Sequence, residues 1–343
     1  MTVRRATGRG PAADGRSVRR THLRATGLAA RVLLPAAVLL GSLSLAASGR
    51  AAAGPEDRAS GTIKLSTWNL DWFTQRPDGD PSLPADVHGR RNDDIARLAA
   101  YAARLHPDVA ALEEVDGAPM AAKLFPPDRF RLEATHDDLP QRVVLAVARG
   151  IGVERHPDLD ALDVPPDAIT ADDPRAGPVH HLRRGLDATL TLPGGETLRV
   201  LAVHLKSGCW DAALVGGNRP SCRILRFQLK VLTGWIAARR AEGIPFAVLG
   251  DFNRRLKLGD PFLQALQDAA PVRSATEGRA SPCWGGEDFI DQIVVGGPAR
   301  DWMVPGSLRV MVYHEPAAMK DALSDHCPTS VVLHPTPAAT AAR

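Results

Sequence analysis

With 343 residues, 44% hydrophobic and 24% charged, the chain is long and apolar enough to bury a large core, which excludes a disordered or fibrous protein. Thirty glycines and 28 prolines announce many loops, and aromatic residues are scarce at 5%. The formal charge of +3 belongs to the leader: residues 1–53 hold nine arginines and one aspartate, leaving 33 basic against 38 acidic side chains from Gly54 onward, a net of −5. Bulk charge therefore gives no support for nucleic-acid binding, which would need a local basic rim.

The N-terminal region runs from basic (Arg4, Arg5, Arg9, Arg16, Arg19, Arg20, Arg24, Arg31) to apolar (VLLPAAVLLGSLSLAA) to small (Ala51, Ala52, Ala53). That order is the order of an export signal, and RRTHLR (19–24) looks like a degenerate twin-arginine signal. We expect a cleaved signal over 1–53, a linker over 54–61 and a secreted or periplasmic protein; an uncleaved anchor is the alternative, disfavoured because the apolar run is short for a bilayer. Next, TIKLSTWNLDWF (62–73) alternates like a strand, and DDIARLAAYAARL (93–105) has Ile95, Leu98, Ala99, Ala102 and Leu105 at helical spacing. HPDVAALEEV (106–115) predicts a loop and a buried strand, QRVVLAVAR (141–149) another strand, and 154–180 an Asp/Pro-rich excursion. Segments 181–192 and 196–207 predict two antiparallel strands joined by the PGG turn. A helix over 224–240, with Leu225, Leu229, Leu232, Trp235 and Ile236 along one stripe, precedes the strand PFAVLGDFN, a short helix from 261, strands at 288–296 and 307–314, and a loop entering a last strand over 324–335. Residues 337–343 form a tail. The pattern predicts one domain over 62–336, with two sheets face to face and helices outside; consecutive strands over 141–207 without helices argue against a parallel doubly wound sheet.

Four cysteines, Cys209, Cys222, Cys283 and Cys327, lie in the exported part, where an oxidising compartment favours disulfides. Three pairings are possible. Cys209–Cys222, which would staple a Gly/Pro/Asn-rich loop, is the most natural, and Cys283 with Cys327 is as readily free as bonded.

Polar residues recur at strand ends: Asn69 after KLSTW, Glu114 after VAAL, His204 after RVLAV, Asp251 and Asn253 after AVLG, Asp291 within DFIDQIVV, and Asp325 and His326 before the last strand. Each alone is an ordinary turn residue; together they suggest a reaction centre. Period two sets Asp251 and Asn253 on one face and turns Phe252 to the core.

The segments STWNLDWF, DVAALEEV, VLAVHLKS, VLGDFNRR, FIDQIVV and SDHCPTSVV, in this order, resemble the endonuclease/exonuclease/phosphatase superfamily, the DNase I-like fold. The resemblance implies a four-layer α/β-sandwich with two packed, mostly antiparallel central sheets. It implies metal binding by Glu114 and Asp325, and catalysis by Asp251, His326, Asp291, His204, Asn253 and Asn69. Asp291 would pair with His326. At 113 a glutamate stands where the family usually has glutamine, which adds charge beside the site or faces away.

Glu114 and Asp325 are hard oxygen ligands suited to Mg²⁺, Mn²⁺ or Ca²⁺. Asn69, Asn253 and His204 can donate to phosphoryl oxygens without adding repulsion, and Asp251 and His326 are rival general bases. Lys206, Arg254 and Arg255 are candidate phosphate contacts. Ser324 beside His326 does not make a triad, and no P-loop, dinucleotide or zinc motif is present. The expected activity is a metal-dependent phosphodiesterase with nucleic acid as substrate, acting as a monomer without a stable protein partner and without a membrane after signal cleavage. A sphingomyelinase-like or inositol-phosphate enzyme and a catalytically silent binding module are the alternatives.

Overall fold

The computed structural model describes residues 61–164, 182–217 and 219–336. The expected export signal (1–53), the linker up to residue 60, the 165–180 part of the excursion and the tail (337–343) lie outside the described residues. Every described element belongs to one unit, residues 53–343. In chain order these are β1 (Ile63–Phe73), α1 (Asn92–Leu105), β2 (Val109–Val115), α2 (Gly117–Ala121), β3 (Phe130–Ala134), β4 (Arg142–Ala148), β5 (Gly152–Arg155), β6 (Leu186–Thr191), β7 (Thr197–His204), α3 (Pro220–Glu242), β8 (Phe246–Asp251), α4 (Pro261–Ala269), β9 (Val272–Ser274), β10 (Ala280–Ser281), β11 (Glu287–Asp288), β12 (Asp291–Gly296), β13 (Arg309–Val310) and β14 (Thr329–Leu333).

Two six-stranded sheets form, in the orders β13-β14-β1-β2-β4-β3 and β5-β6-β7-β8-β12-β9. Each holds one parallel pair, β1–β2 and β7–β8, among antiparallel neighbours. Side chains alternate across a strand, and the alternation assigns each residue its layer. On β7, Leu198, Val200 and Ala202 enter a core shared with Ile63 and Leu65 of β1 and Leu249 of β8, while Leu201 and Val203 pack with α3 and α4. On β1, Trp68 and Leu70 pack instead with Ile95, Leu98 and Leu105 of α1. Helix, sheet, sheet and helix are therefore stacked as four layers. A fully buried leucine such as Leu249 contributes heavily here; truncation to alanine costs about 2–5 kcal/mol.

The helices follow their apolar stripes. α3 begins at Pro220, earlier than its periodicity suggests, because proline is well suited to a first turn; it ends at Gly243 with φ 68°. The strand expected over 307–314 is corrected to the two residues of β13. Beyond Val310 the chain leaves the sheet edge, and Tyr313 turns inward, accepting from Trp68 Nε1 at 2.9 Å and donating to the His326 carbonyl at 2.9 Å. Short strands β3, β5 and β9, too weakly patterned to predict, complete the sheet edges.

Both cysteine pairs are bonded, Cys209–Cys222 and Cys283–Cys327. The first ties the loop after β7 to α3. The second anchors the residue that follows His326 to the loop before β11. No described helix is long and apolar enough to cross a membrane.

Candidate active site

The second sheet supplies a row in strict register. His204 on β7 lies opposite Asp251 on β8, and Asp251 lies opposite Asp291 on β12. These residues continue the inward-facing series of Ala202, Leu249 and Ile293, so the apolar core between the sheets ends in imidazole and carboxylates. All three are buried, with Asp251 1% exposed. Gly250 permits this packing: its φ is 143°, and a Cβ there would sit 1.9 Å from the Val203 carbonyl oxygen. Phe252 points into the outer core, 6.0 Å from the Phe262 ring. Asn253, at φ 50°, folds back on Asp251. Its backbone N–H donates to Oδ1 at 2.7 Å, and its Nδ2 donates to Oδ2 at 2.9 Å and to the Leu205 carbonyl at 3.2 Å.

The first sheet reaches the same place by a less regular route. Asn69 on β1 lies opposite Glu113 on β2, and Glu113 is the inward residue, fully buried and accepting from Thr67 Oγ1 at 3.1 Å. Burial, with Asp291 and Asp251 nearby, raises its pKa well above the ordinary carboxyl value. The departure at 113 thus places a neutral acid behind the site. The ladder with β4 then shifts between Leu112 and Val115, and Glu114 takes φ 59°. That irregularity turns the second glutamate to the site as well. Glu114 accepts from Asn69 Nδ2 at 3.1 Å, from the Trp72 N–H at 3.2 Å and from Gln141 Nε2. Asn69 Nδ2 also donates to Asp251 Oδ2 at 3.1 Å, so one amide joins the carboxylates of the two sheets.

Asn69 and Asn253 therefore differ from expectation. Their amide hydrogens are engaged by Glu114, Asp251 and Leu205, and both residues orient carboxylates rather than offering free donors. His204 keeps an unpartnered, buried Nδ1, while its Nε2 lies 3.6 Å from both Glu114 and Asp251. Burial, reinforced by the charges of Arg183, His326 and Lys206, holds its pKa well below the ordinary imidazole value. It is a neutral ring.

His326 is its opposite. Nδ1 lies 2.9 Å from both oxygens of Asp291, and Nε2 lies 3.9 Å from Asp251 and 3.7 Å from Asp325. Burial disfavours its charge, yet Asp291, Asp251 and Asp325 outweigh burial and raise its pKa well above 6.5. Burial also pushes Asp251 up to about 7, against the opposing pull of His326. Ser324 is occupied structurally: its Oγ donates to the Asn69 carbonyl at 2.7 Å and accepts from the His326 N–H at 3.0 Å.

Three residues here escape a motif reading. Asp71, at φ 47°, is held by Arg90, which lies 3.7 Å from its carboxylate and donates to its carbonyl. Burial and the charges of Asp325 and Glu114 raise Asp71 to about 6, Arg90 partly opposing. The second is Gln141, which donates to Glu114. The third is Arg183, whose Nη2 donates to the Leu205 carbonyl at 3.2 Å and whose buried Nε has no partner. It acts electrostatically on Glu114 and Asp251. Only for Asp71 did the sequence carry a signal: it shares strand parity with Asn69.

The expected phosphate contacts separate. Burial, then the charge of Arg183, lowers the Lys206 pKa, and the charge of Lys206 helps to keep His204 neutral. Arg254 is corrected. It is buried, with Nη2 2.7 Å from Asp260 and Nη1 2.8 and 2.7 Å from the carbonyls of Cys209 and Ala212. It braces the loop after β7. Arg255 pairs with Asp211 on that loop, and Lys257 bridges Asp211 and Asp288 at 3.1 Å each.

The donor chemistry suits a divalent cation. Asp71 lies among the like charges of Asp325 and Glu114, partly opposed by Arg90 and His326, and all three carboxylates offer hard oxygens. Asp251, Asp291 and His326 also present ligand atoms within 4.8 Å of one another, but there the imidazole is already bonded to Asp291.

The Endonuclease/Exonuclease/phosphatase family matches residues 66–326. Among curated proteins nothing matches. Of solved structures, TDP2 from C. elegans shares 14% identity over 81% of this chain and 76% of that chain, with a TM-score of 0.51. D. rerio TDP2 complexed with a single-strand DNA product shares 14% over 79% of this chain and 98% of that chain, with a TM-score of 0.51. These likenesses are of fold.

Proposed function

The chain belongs to the Endonuclease/Exonuclease/phosphatase family, whose members are phosphoric ester hydrolases, and we propose that it is a divalent-metal-dependent phosphodiesterase acting on DNA or RNA by direct attack of water. The observation that carries the reading is the convergence of Glu114, His204, Asp251 and the Asp291–His326 pair at one end of the inter-sheet core, joined by Asn69.

Asp251 takes the proton from water. Its raised pKa matches a base working near neutrality, and Asn69 and Asn253 fix its carboxylate. His326, kept cationic by Asp291, donates from Nε2 to the phosphoryl oxygen on which charge develops. Neutral His204 donates without competing for the water's proton. Arg183 and Lys206 supply the local positive charge that the −5 of the exported part lacks. A divalent cation held by Glu114, Asp325 and Asp71 would neutralise further phosphoryl charge. Export into an oxidising compartment is part of the proposal and is supported by the two disulfides. A DNA-containing neighbour of the same fold makes nucleic acid the first substrate to test. The test is a panel of single- and double-stranded DNA, RNA, sphingomyelin and bis(p-nitrophenyl) phosphate, with EDTA and then Mg²⁺, Mn²⁺ or Ca²⁺ restored. Metal-dependent nucleic-acid cleavage is expected; hydrolysis of sphingomyelin alone would reassign the substrate.

A further inference from the structure

Trp210 is 44% exposed, unlike the other large aromatic rings near the site. Its position is closely constrained. Cys209, the preceding residue, is bonded to Cys222 on α3. Arg254 grips the carbonyls of Cys209 and Ala212, on either side of it. The Arg255 N–H donates to the Trp210 carbonyl at 3.2 Å, and the Arg255 side chain holds Asp211. Finally the indole N–H lies 3.4 Å from Asn253 Oδ1, and Asn253 clamps Asp251. A flat apolar ring is thus braced at the rim, one residue removed from the proposed base.

We propose that Trp210 is a stacking platform for the nucleobase next to the scissile phosphate, making it a specificity-determining residue for substrates that carry a base. The proposal rests on the phosphodiesterase reading for the position of that phosphate. Stacking needs an exposed ring that does not have to be ordered on binding, and the disulfide and the Arg254 brace provide that ordering in advance. A membrane anchor fits less well, because Asp211, Arg255, Lys257 and Asp288 form an ion-pair network directly beside the ring, and the indole is turned to Asn253.

The test uses the full exported protein without metal, so that binding is measured apart from cleavage. Affinities of wild type, Trp210→Ala and Trp210→Phe are compared for a single-stranded DNA oligonucleotide and an abasic oligonucleotide of equal length, together with quenching of tryptophan fluorescence. We expect Trp210→Ala to lose about ten-fold in affinity for the base-bearing strand and nothing for the abasic one. Trp210→Phe should restore most of the affinity, and the quenching should disappear in both variants. Equal loss on both strands, or no loss on either, overturns the proposal. So does loss of binding to sphingomyelin vesicles with DNA affinity unchanged. Base-selective binding without metal-dependent cleavage of nucleic acid would sink the proposed function while leaving the platform standing.

Discussion

The two sheets bring their residues to the site in different ways. The second sheet does it by register alone: His204, Asp251 and Asp291 are neighbours because three regular strands carry them on the same face at the same height. The first sheet does it partly by distortion: Glu114 faces the site only because the backbone takes φ 59° there, and Asp71, of the same parity as Asn69, sits at φ 47° in the irregular end of β1. Backbone in this region is disfavoured for such residues and persists where surrounding structure holds it. Here the Trp72 N–H and Gln141 hold Glu114, and Arg90 holds Asp71. In the proposed mechanism the regular half handles protons, and the distorted half gathers the oxygens suited to a cation. Breaking one half should disturb catalysis differently from breaking the other.

The largest effect belongs to Asp251 of the regular half and to His326, which the loop before β14 brings to its Asp291. Asp251→Ala or His326→Ala should lower kcat by about 10²–10⁴-fold with circular dichroism and melting intact. Wild-type rates in either variant would remove that residue from the mechanism. In the distorted half, Glu114→Ala should raise the metal concentration for half-maximal activity at least about ten-fold, and Asp71→Asn should do so more mildly. A fall in kcat at saturating metal with no change in metal requirement would erase the distinction between the halves.

A pH profile sharpens the comparison. The base must be ionised, so kcat/KM should rise through about pH 7 as Asp251 loses its proton. It should fall again where His326 becomes neutral, well above 6.5. Asp251→Asn should abolish the acid limb. A profile flat across pH 6–8 in the wild type would contradict the assignment of base and acid.

The disulfides come next. Closing loops of 13 and 44 residues corresponds to about 3 and about 4 kcal/mol in the chain-entropy account. Replacing Cys283 and Cys327 by serine should therefore lower the melting temperature more than replacing Cys209 and Cys222. It should also lower kcat, since Cys327 follows His326 directly. The smallest effect is expected at Glu113→Gln: the carboxyl is already neutral, so activity at pH 7 should stay within about two-fold. A large loss would mean that the buried proton at 113 takes part in turnover.

The same contrast explains what could be read from the sequence. The strands, the two long helices and the sandwich follow from period-two and helical patterning, which tertiary packing reinforces. His204, Asp251 and Asp291 were legible because strand parity carries them inward with their apolar neighbours. Glu114 was not legible by parity, which selects Glu113; only the shifted ladder turns both glutamates inward, and the motif resemblance supplied what periodicity could not. The role of Arg254 was hidden because Asp260 and the Cys209 and Ala212 carbonyls capture it through loop packing. Arg183 fell inside the strand expected over 181–192, but the strand begins only at Leu186, and Arg183 reaches the site from the loop before it. The strand expected over 307–314 failed because Tyr313 is needed beneath the site, hydrogen-bonded to Trp68 and to the backbone of His326.

The most direct test of the central claim is the rate of bis(p-nitrophenyl) phosphate hydrolysis by EDTA-stripped protein, before and after divalent metal is restored, in wild type and Asp251→Ala. The account predicts that stripping abolishes turnover, that Mg²⁺ or Mn²⁺ restores it in the wild type, and that no metal restores it in Asp251→Ala. Turnover that survives stripping, or that returns equally in both proteins, would contradict it.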